Sequence, residues 1–137
     1  MYNSQVSQFD DTTTQTLIRL SNEPIQGWLD TFIPALVLRC QAHEFDVIIS
    51  VDTQFEVEYG LTDRSTVRLR FDNEPSYDAV LSQSTTGDAV FFERPIEIAQ
   101  ELVSHNTLLF GFTPFNAAFA STSFDLRGLS EVIEPLV

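Results

Sequence analysis

Apolar and polar side chains alternate along most of this chain, and the runs of alternation are short. Phe45, Val47, Ile49 and Val51 repeat with a period of two, and Leu36, Leu38 and Cys40 do the same in the segment before them. Such a period belongs to strands with one buried face, so residues 34–40 and 45–52 are predicted to pair as a hairpin. A third run places Val67, Leu69 and Phe71 on one face of residues 64–72 and Arg68 and Arg70 on the other. The Thr-rich residues 12–20 and residues 77–83, 88–92, 107–113 and 117–126 read as further strands. Asn73-Glu74-Pro75-Ser76 and Ser84-Thr85-Thr86-Gly87 are turns by composition.

The period changes in two places. Pro95 suits a first helical turn, and Ile96, Ala99, Leu102 and Val103 follow at helical spacing until His105-Asn106. Leu129, Val132, Ile133 and Leu136 are spaced for a short amphipathic helix after Gly128. Between Ser21-Asn22-Glu23-Pro24 and Pro34, the apolar residues Trp28, Leu29, Phe32 and Ile33 fit either one helical turn or an apolar loop plug. The expected fold is therefore mainly β: a twisted antiparallel β-sandwich or half-open barrel with one or two short helices, in a single domain over residues 1–137. Residues 1–11 are polar and are expected to form a flexible arm unless a strand captures them.

A chain of 137 residues with 12 Phe can bury a core without cross-links. Its single cysteine, Cys40, excludes an internal disulfide and reads as a small core residue. Cys40 and His43 are close in sequence, but the other histidine, His105, is distant, so no metal or cofactor is expected. Neither a Gly-x-Ser-x-Gly elbow nor a phosphate-cradling Gly-rich loop is present, and the chain reads as non-enzymatic. His43 and His105 are expected at a hairpin end and a helix end.

Charge changes the picture most. Twenty acids face seven bases, all Arg, for a net charge of −13. That balance opposes direct nucleic-acid binding and attraction to an anionic membrane, and it favours a protein partner with a basic surface. Glu44, Asp46, Asp52, Glu56, Glu58 and Asp63 follow one another with no intervening base, and form the candidate protein-binding acidic surface on a strand pair and its following loop. Phe91, Phe92, Phe110, Phe112, Phe115 and Phe119 exceed the needs of one inward face, so part of them forms a second small core or a contact patch. The start of the chain has no basic segment followed by an apolar one, which predicts a cytoplasmic protein, or a periplasmic one if the chain is a processed form.

Several cassettes occur in order: Asp10-Asp11 before Thr12, Leu36-Val37-Leu38-Arg39-Cys40, Arg70-Phe71-Asp72, Ala89-Val90-Phe91, Thr113-Pro114-Phe115 and Phe124-Asp125-Leu126-Arg127-Gly128-Leu129. Together they resemble the VasI/TagO family of type VI secretion accessory proteins, from about residue 10 to residue 136. Members of that family usually carry an export signal and a second cysteine beyond the closing helix. The resemblance implies a non-enzymatic accessory role in binding another protein of a secretion assembly. The charge supports a different role, an acidic and phage-encoded inhibitor that docks on a basic surface of a host nucleic-acid enzyme such as RNA polymerase.

Overall fold

A computed structural model describes residues 2–6, 13–27, 29–42, 44–56 and 63–133. Its strands are β1 (Tyr2–Val6), β2 (Thr13–Leu20), β3 (Ile25–Gln26), β4 (Thr31–Phe32), β5 (Ala35–Gln41), β6 (Glu44–Ser50), β7 (Arg64–Phe71), β8 (Tyr77–Gln83), β9 (Ala89–Phe91), β10 (Thr107–Phe112) and β11 (Ala120–Asp125). Two helices, α1 (Pro95–Ser104) and α2 (Leu129–Ile133), complete it. Nine strands form one antiparallel sheet in the order β1-β2-β5-β6-β9-β8-β7-β10-β11, and β3 and β4 form a separate hairpin.

The expected β5–β6 hairpin forms in the expected register. Leu36 lies opposite Ile49, Leu38 opposite Val47 and Cys40 opposite Phe45. One face of this pair is thereby apolar from end to end, and its Leu36, Leu38, Val47 and Ile49 are fully buried. On β7, Val67, Leu69 and Phe71 point into the same core while Arg68 and Arg70 stay exposed. Leu108, Phe110 and Phe112 of β10 face them, with Phe124 arriving from β11. The second small core considered for the phenylalanines is not needed. Phe92, Phe110 and Phe112 join the main cluster, and Phe115 and Phe119 remain exposed.

The sheet curls until its last strand approaches β2. Ser21 N donates to Pro34 O beside β5, and the next amide, Asn22 N, donates to Ser123 O of β11 at 2.8 Å. The buried hydroxyl of Thr122 donates to Glu23 O at 2.7 Å. A nearly closed barrel results, and α1 and α2 contribute Ala99, Leu102 and Leu129 to its core. Ile96, expected on the buried face of α1, is exposed; the helix meets the sheet through buried Ala99 and Leu102, with half-buried Ile98 and Val103 beside them.

Two expectations at the start of the chain change. Residues 2–6 are taken up as strand β1, antiparallel to the first half of β2. The described part of residues 25–33 makes the β3–β4 hairpin and not a helical turn, with Ile25 and Phe32 turned into the core and Leu29 and Ile33 turned out. A two-residue strand on each side of a turn has only one inward position per strand, so this short hairpin cannot bury the whole apolar set. Trp28, His43 and Leu136 lie outside the described residues.

Candidate functional site

The acidic residues singled out from the sequence are spread from one end of the β5–β6 hairpin to beyond the other. Glu44 opens β6 at the exposed end of the β5–β6 hairpin, opposite Gln41. Asp46 faces Arg39 across the hairpin, with Arg39 Nη2 3.1 Å from Asp46 Oδ2, so its charge is locally balanced. Asp52 lies beyond the far end of β6; seven residues of strand put about 20 Å between the two ends. Glu56 accepts a hydrogen bond from Asn116 N at 3.1 Å. Asp63 is exposed just before β7, where its carbonyl accepts from Gln83 N. Glu58 lies outside the described residues. The length of the hairpin thus sets Glu44 apart from Asp52.

The arginines decide which carboxylates remain uncompensated. Arg39, Arg64, Arg68, Arg94 and Arg127 pair with Asp46, Glu93, Asp78, Glu97 and Asp125, respectively. The Arg68 pair crosses from β7 to β8, which lies directly beside it in the sheet. Arg70 donates to the carbonyls of Asn73 and Glu74, and Arg19 to that of Arg127. At the last of the ion pairs, the Arg127 guanidinium and backbone amide hold the Asp125 carboxyl at about 2. Asp30 and Asp52 have no ion-pair partner among the described residues.

Those two aspartates lie in the same cleft, of about 570 Å³, between the β3–β4 hairpin and the loop after β6. Local chemistry builds each wall. Gly27 N donates to Asp30 O at 2.8 Å and closes the hairpin turn. A Cβ at Gly27 would come within 2.8 Å of the Phe32 ring and 3.0 Å of Asp30 O, so glycine is required by the close approach. Thr31 Oγ1 donates to Gln26 Oε1 and ties the two short strands together. Leu29 is held at the tip with 77% of its surface exposed.

The opposite wall starts at Asp52, whose φ of 57° turns the chain away from β6. Gln54 fixes the loop twice: its side chain donates to Thr86 O at 2.7 Å, and its carbonyl accepts from Phe115 N at 2.8 Å. Phe115 therefore stands beside Asp52 on the cleft rim, 40% exposed. Phe32 forms the floor, backed by Phe112 at 6.5 Å, and Phe112 packs in turn on Phe55 at 4.7 Å. The lining carries two carboxylates and three large apolar side chains with no arginine. Asp52 was legible as part of an acidic run. Asp30 and Leu29 were missed as site residues, and Phe115 stood only among the phenylalanines offered for a second core or a contact patch; the Gly27 turn and the Gln54–Phe115 bond bring all three to the cleft.

Two other depressions among the described residues are smaller and carry both signs. One of about 250 Å³ holds the Arg68–Asp78 pair, with the Arg68 guanidinium 5.8 Å from the Phe119 ring centre. Another, of about 310 Å³, runs between β8 and α1 and contains Tyr77, Arg94 and Glu97. Burial, followed by the charges of Glu101 and Glu74, raises the Tyr77 hydroxyl above its ordinary value. Among the described residues no group of three His, Cys, Asp or Glu side chains could hold a metal ion. Cys40 is half-buried against the core. The cleft offers apolar contact and fixed negative charge, which are means of recognition. Comparisons with protein-family models, with curated proteins and with solved structures find no match to this chain.

Proposed function

We propose that this protein is a non-enzymatic binding module that recognises a partner protein through a basic surface, as an accessory of a secretion assembly of the kind its cassettes resemble. The observation that carries the reading is the exposed, uncompensated pair Asp30 and Asp52 beside Leu29 and Phe115. Charge of one sign next to exposed apolar area favours association with a complementary surface. The cassettes themselves are structural: Leu36, Leu38, Phe71, Phe124, Leu126 and Leu129 are all core residues. What the resemblance carries over is thus a scaffold, and recognition falls to residues outside it.

The net charge of −13 also favours a second reading, an inhibitor docked on a basic face of a host enzyme such as RNA polymerase. One experiment tests both. The full chain is immobilised and host lysate is passed over it at about 0.05 M and about 0.5 M salt, where screening differs several-fold, and the retained proteins are identified. Salt-sensitive retention of a secretion component supports the first reading, and of RNA polymerase the second. Retention unaffected by salt counts against both.

A further inference from the structure

We infer that the cleft between the β3–β4 hairpin and the loop after β6 takes an extended, cationic segment of the partner, one that carries a single large apolar side chain as an anchor. The inference rests on the proposed binding function and assigns it a place and a ligand chemistry. Its volume, about 570 Å³, falls within the range of roughly 300–1,000 Å³ usual for ligand clefts. Leu29, Phe32 and Phe115 offer an apolar seat. Asp30 on one wall and Asp52 on the other place a carboxylate on each side of it. An extended chain turns every second side chain to the same side, so Lys or Arg two positions before and two positions after the anchor matches the carboxylates on either side of the seat. A second copy of this chain is a poor occupant, because two molecules of charge −13 repel.

Both walls are held by hydrogen bonds to backbone groups. The Gly27–Asp30 bond fixes the hairpin turn, and the bonds of Gln54 to Thr86 and Phe115 fix the loop. The seat is therefore present before a ligand arrives, which lowers the ordering cost of binding.

The test measures fluorescence anisotropy of the full chain with a labelled peptide, Gly-Arg-Lys-Leu-Arg-Lys-Ser-Gly, and with the same peptide carrying Ser in place of Leu. Asp30→Asn with Asp52→Asn removes the cleft charges, Leu29→Ser removes an exposed wall, and Glu44→Gln removes an acid at the opposite end of β6. All these residues are exposed, and thermal melts verify that each variant stays folded. Loss of two solvent-exposed charge pairs is expected to weaken the Leu peptide about five-fold. Leu29→Ser should weaken it several-fold as well, the Ser peptide should bind worse than the Leu peptide, and Glu44→Gln should leave affinity unchanged.

Equal weakening by Glu44→Gln, or equal affinity for the two peptides, overturns the cleft while leaving an acidic binding surface standing. Affinity indifferent to salt and to every acid variant overturns that broader reading as well. No measurable binding of the Leu peptide overturns the cleft assignment, and the lysate experiment then judges the function on its own.

Discussion

His105 and Glu74 join the C-terminal end of α1 to the turn between β7 and β8, with His105 Nε2 2.8 Å from Glu74 Oε2. The other ring nitrogen, Nδ1, lies 2.7 Å from Glu101 O. A carbonyl and a carboxylate only accept, so both nitrogens donate only when the ring is protonated. The groups facing it are anionic, Glu74 and Asp72 from the turn and Glu101 from the helix, with neutral Tyr77 near the same carboxylates. The ring also packs on Phe71 at 4.8 Å, and its side chain is only 12% exposed.

The Glu101 carbonyl first, and then the Glu74 carboxylate, raise the His105 pKa above its ordinary value, while burial opposes them. A raised folded-state value means that protonation and folding favour each other. The stabilisation is complete below the unfolded value of about 6.5 and is lost as pH climbs through the folded value. His105→Gln should therefore lower the urea midpoint more at about pH 5.5 than at about pH 8.5, the two sides of that titration. Equal losses at the two pH values would contradict an imidazolium clasp. Glu74→Gln should shrink the pH dependence without abolishing it, since Glu101 O remains.

Phe71 and Arg68 belong to the same strand and should respond oppositely to truncation. Phe71 is buried between β10 and His105, so Phe71→Ala should cost about 3–5 kcal/mol through lost transfer energy and the cavity left behind. Arg68 makes an exposed pair with Asp78, and Arg68→Ala should cost about 1 kcal/mol or less. Urea melts at unchanged slope measure both. A loss below about 1 kcal/mol for Phe71→Ala would place that residue outside the core described for it.

That contrast was legible in the sequence, as was the β5–β6 register, because strict alternation leaves one way to bury Leu36, Leu38, Val47 and Ile49 together. The β3–β4 hairpin was not legible. Its apolar residues outnumber its inward positions, and only the Gly27 turn decides that Phe32 enters the core and Leu29 does not. The cleft was half visible: Asp52 stood in an acidic run, whereas its neighbour Phe115 arrives from 63 positions along the chain through one bond to Gln54. Contacts of that separation leave no local pattern, and they are what converts a list of strands into a barrel.

Gly111 supplies a further test of packing outside the core. The Phe119 ring lies over it so closely that a Cβ there would collide with the ring edge. Phe119 is 54% exposed and can swing away, but it would then leave the Arg68 guanidinium. Gly111→Ala should cost about 1 kcal/mol, towards the mild end of overpacking. In the Phe119→Ala background the same substitution should cost measurably less, and a double-mutant cycle reads the difference as coupling. An unchanged cost would show that the backbone, and not the ring, resists the methyl group.

Closure of the barrel rests on few bonds, and Thr122 is central to them. Its buried hydroxyl donates to Glu23 O at 2.7 Å and accepts from Glu23 N at 3.3 Å, while Asn22 N and Asn22 Nδ2 bond to Ser123 O and Ser123 Oγ. Thr122→Val keeps the shape and removes both hydroxyl bonds. Because Glu23 is itself exposed, water can replace part of what it loses, and the cost should be about 1 kcal/mol, the lower end for an unsatisfied group. The more informative readout is local. Hydrogen exchange at the Asn22 amide should accelerate, since its bond to Ser123 spans the loosened seam. The amides of Leu69 and Phe110, paired in the middle of β7 and β10, should keep their protection. Acceleration shared by all three would mean that the seam opens only when the whole barrel unfolds, and no acceleration at Asn22 would mean that the Thr122 hydroxyl does not hold it.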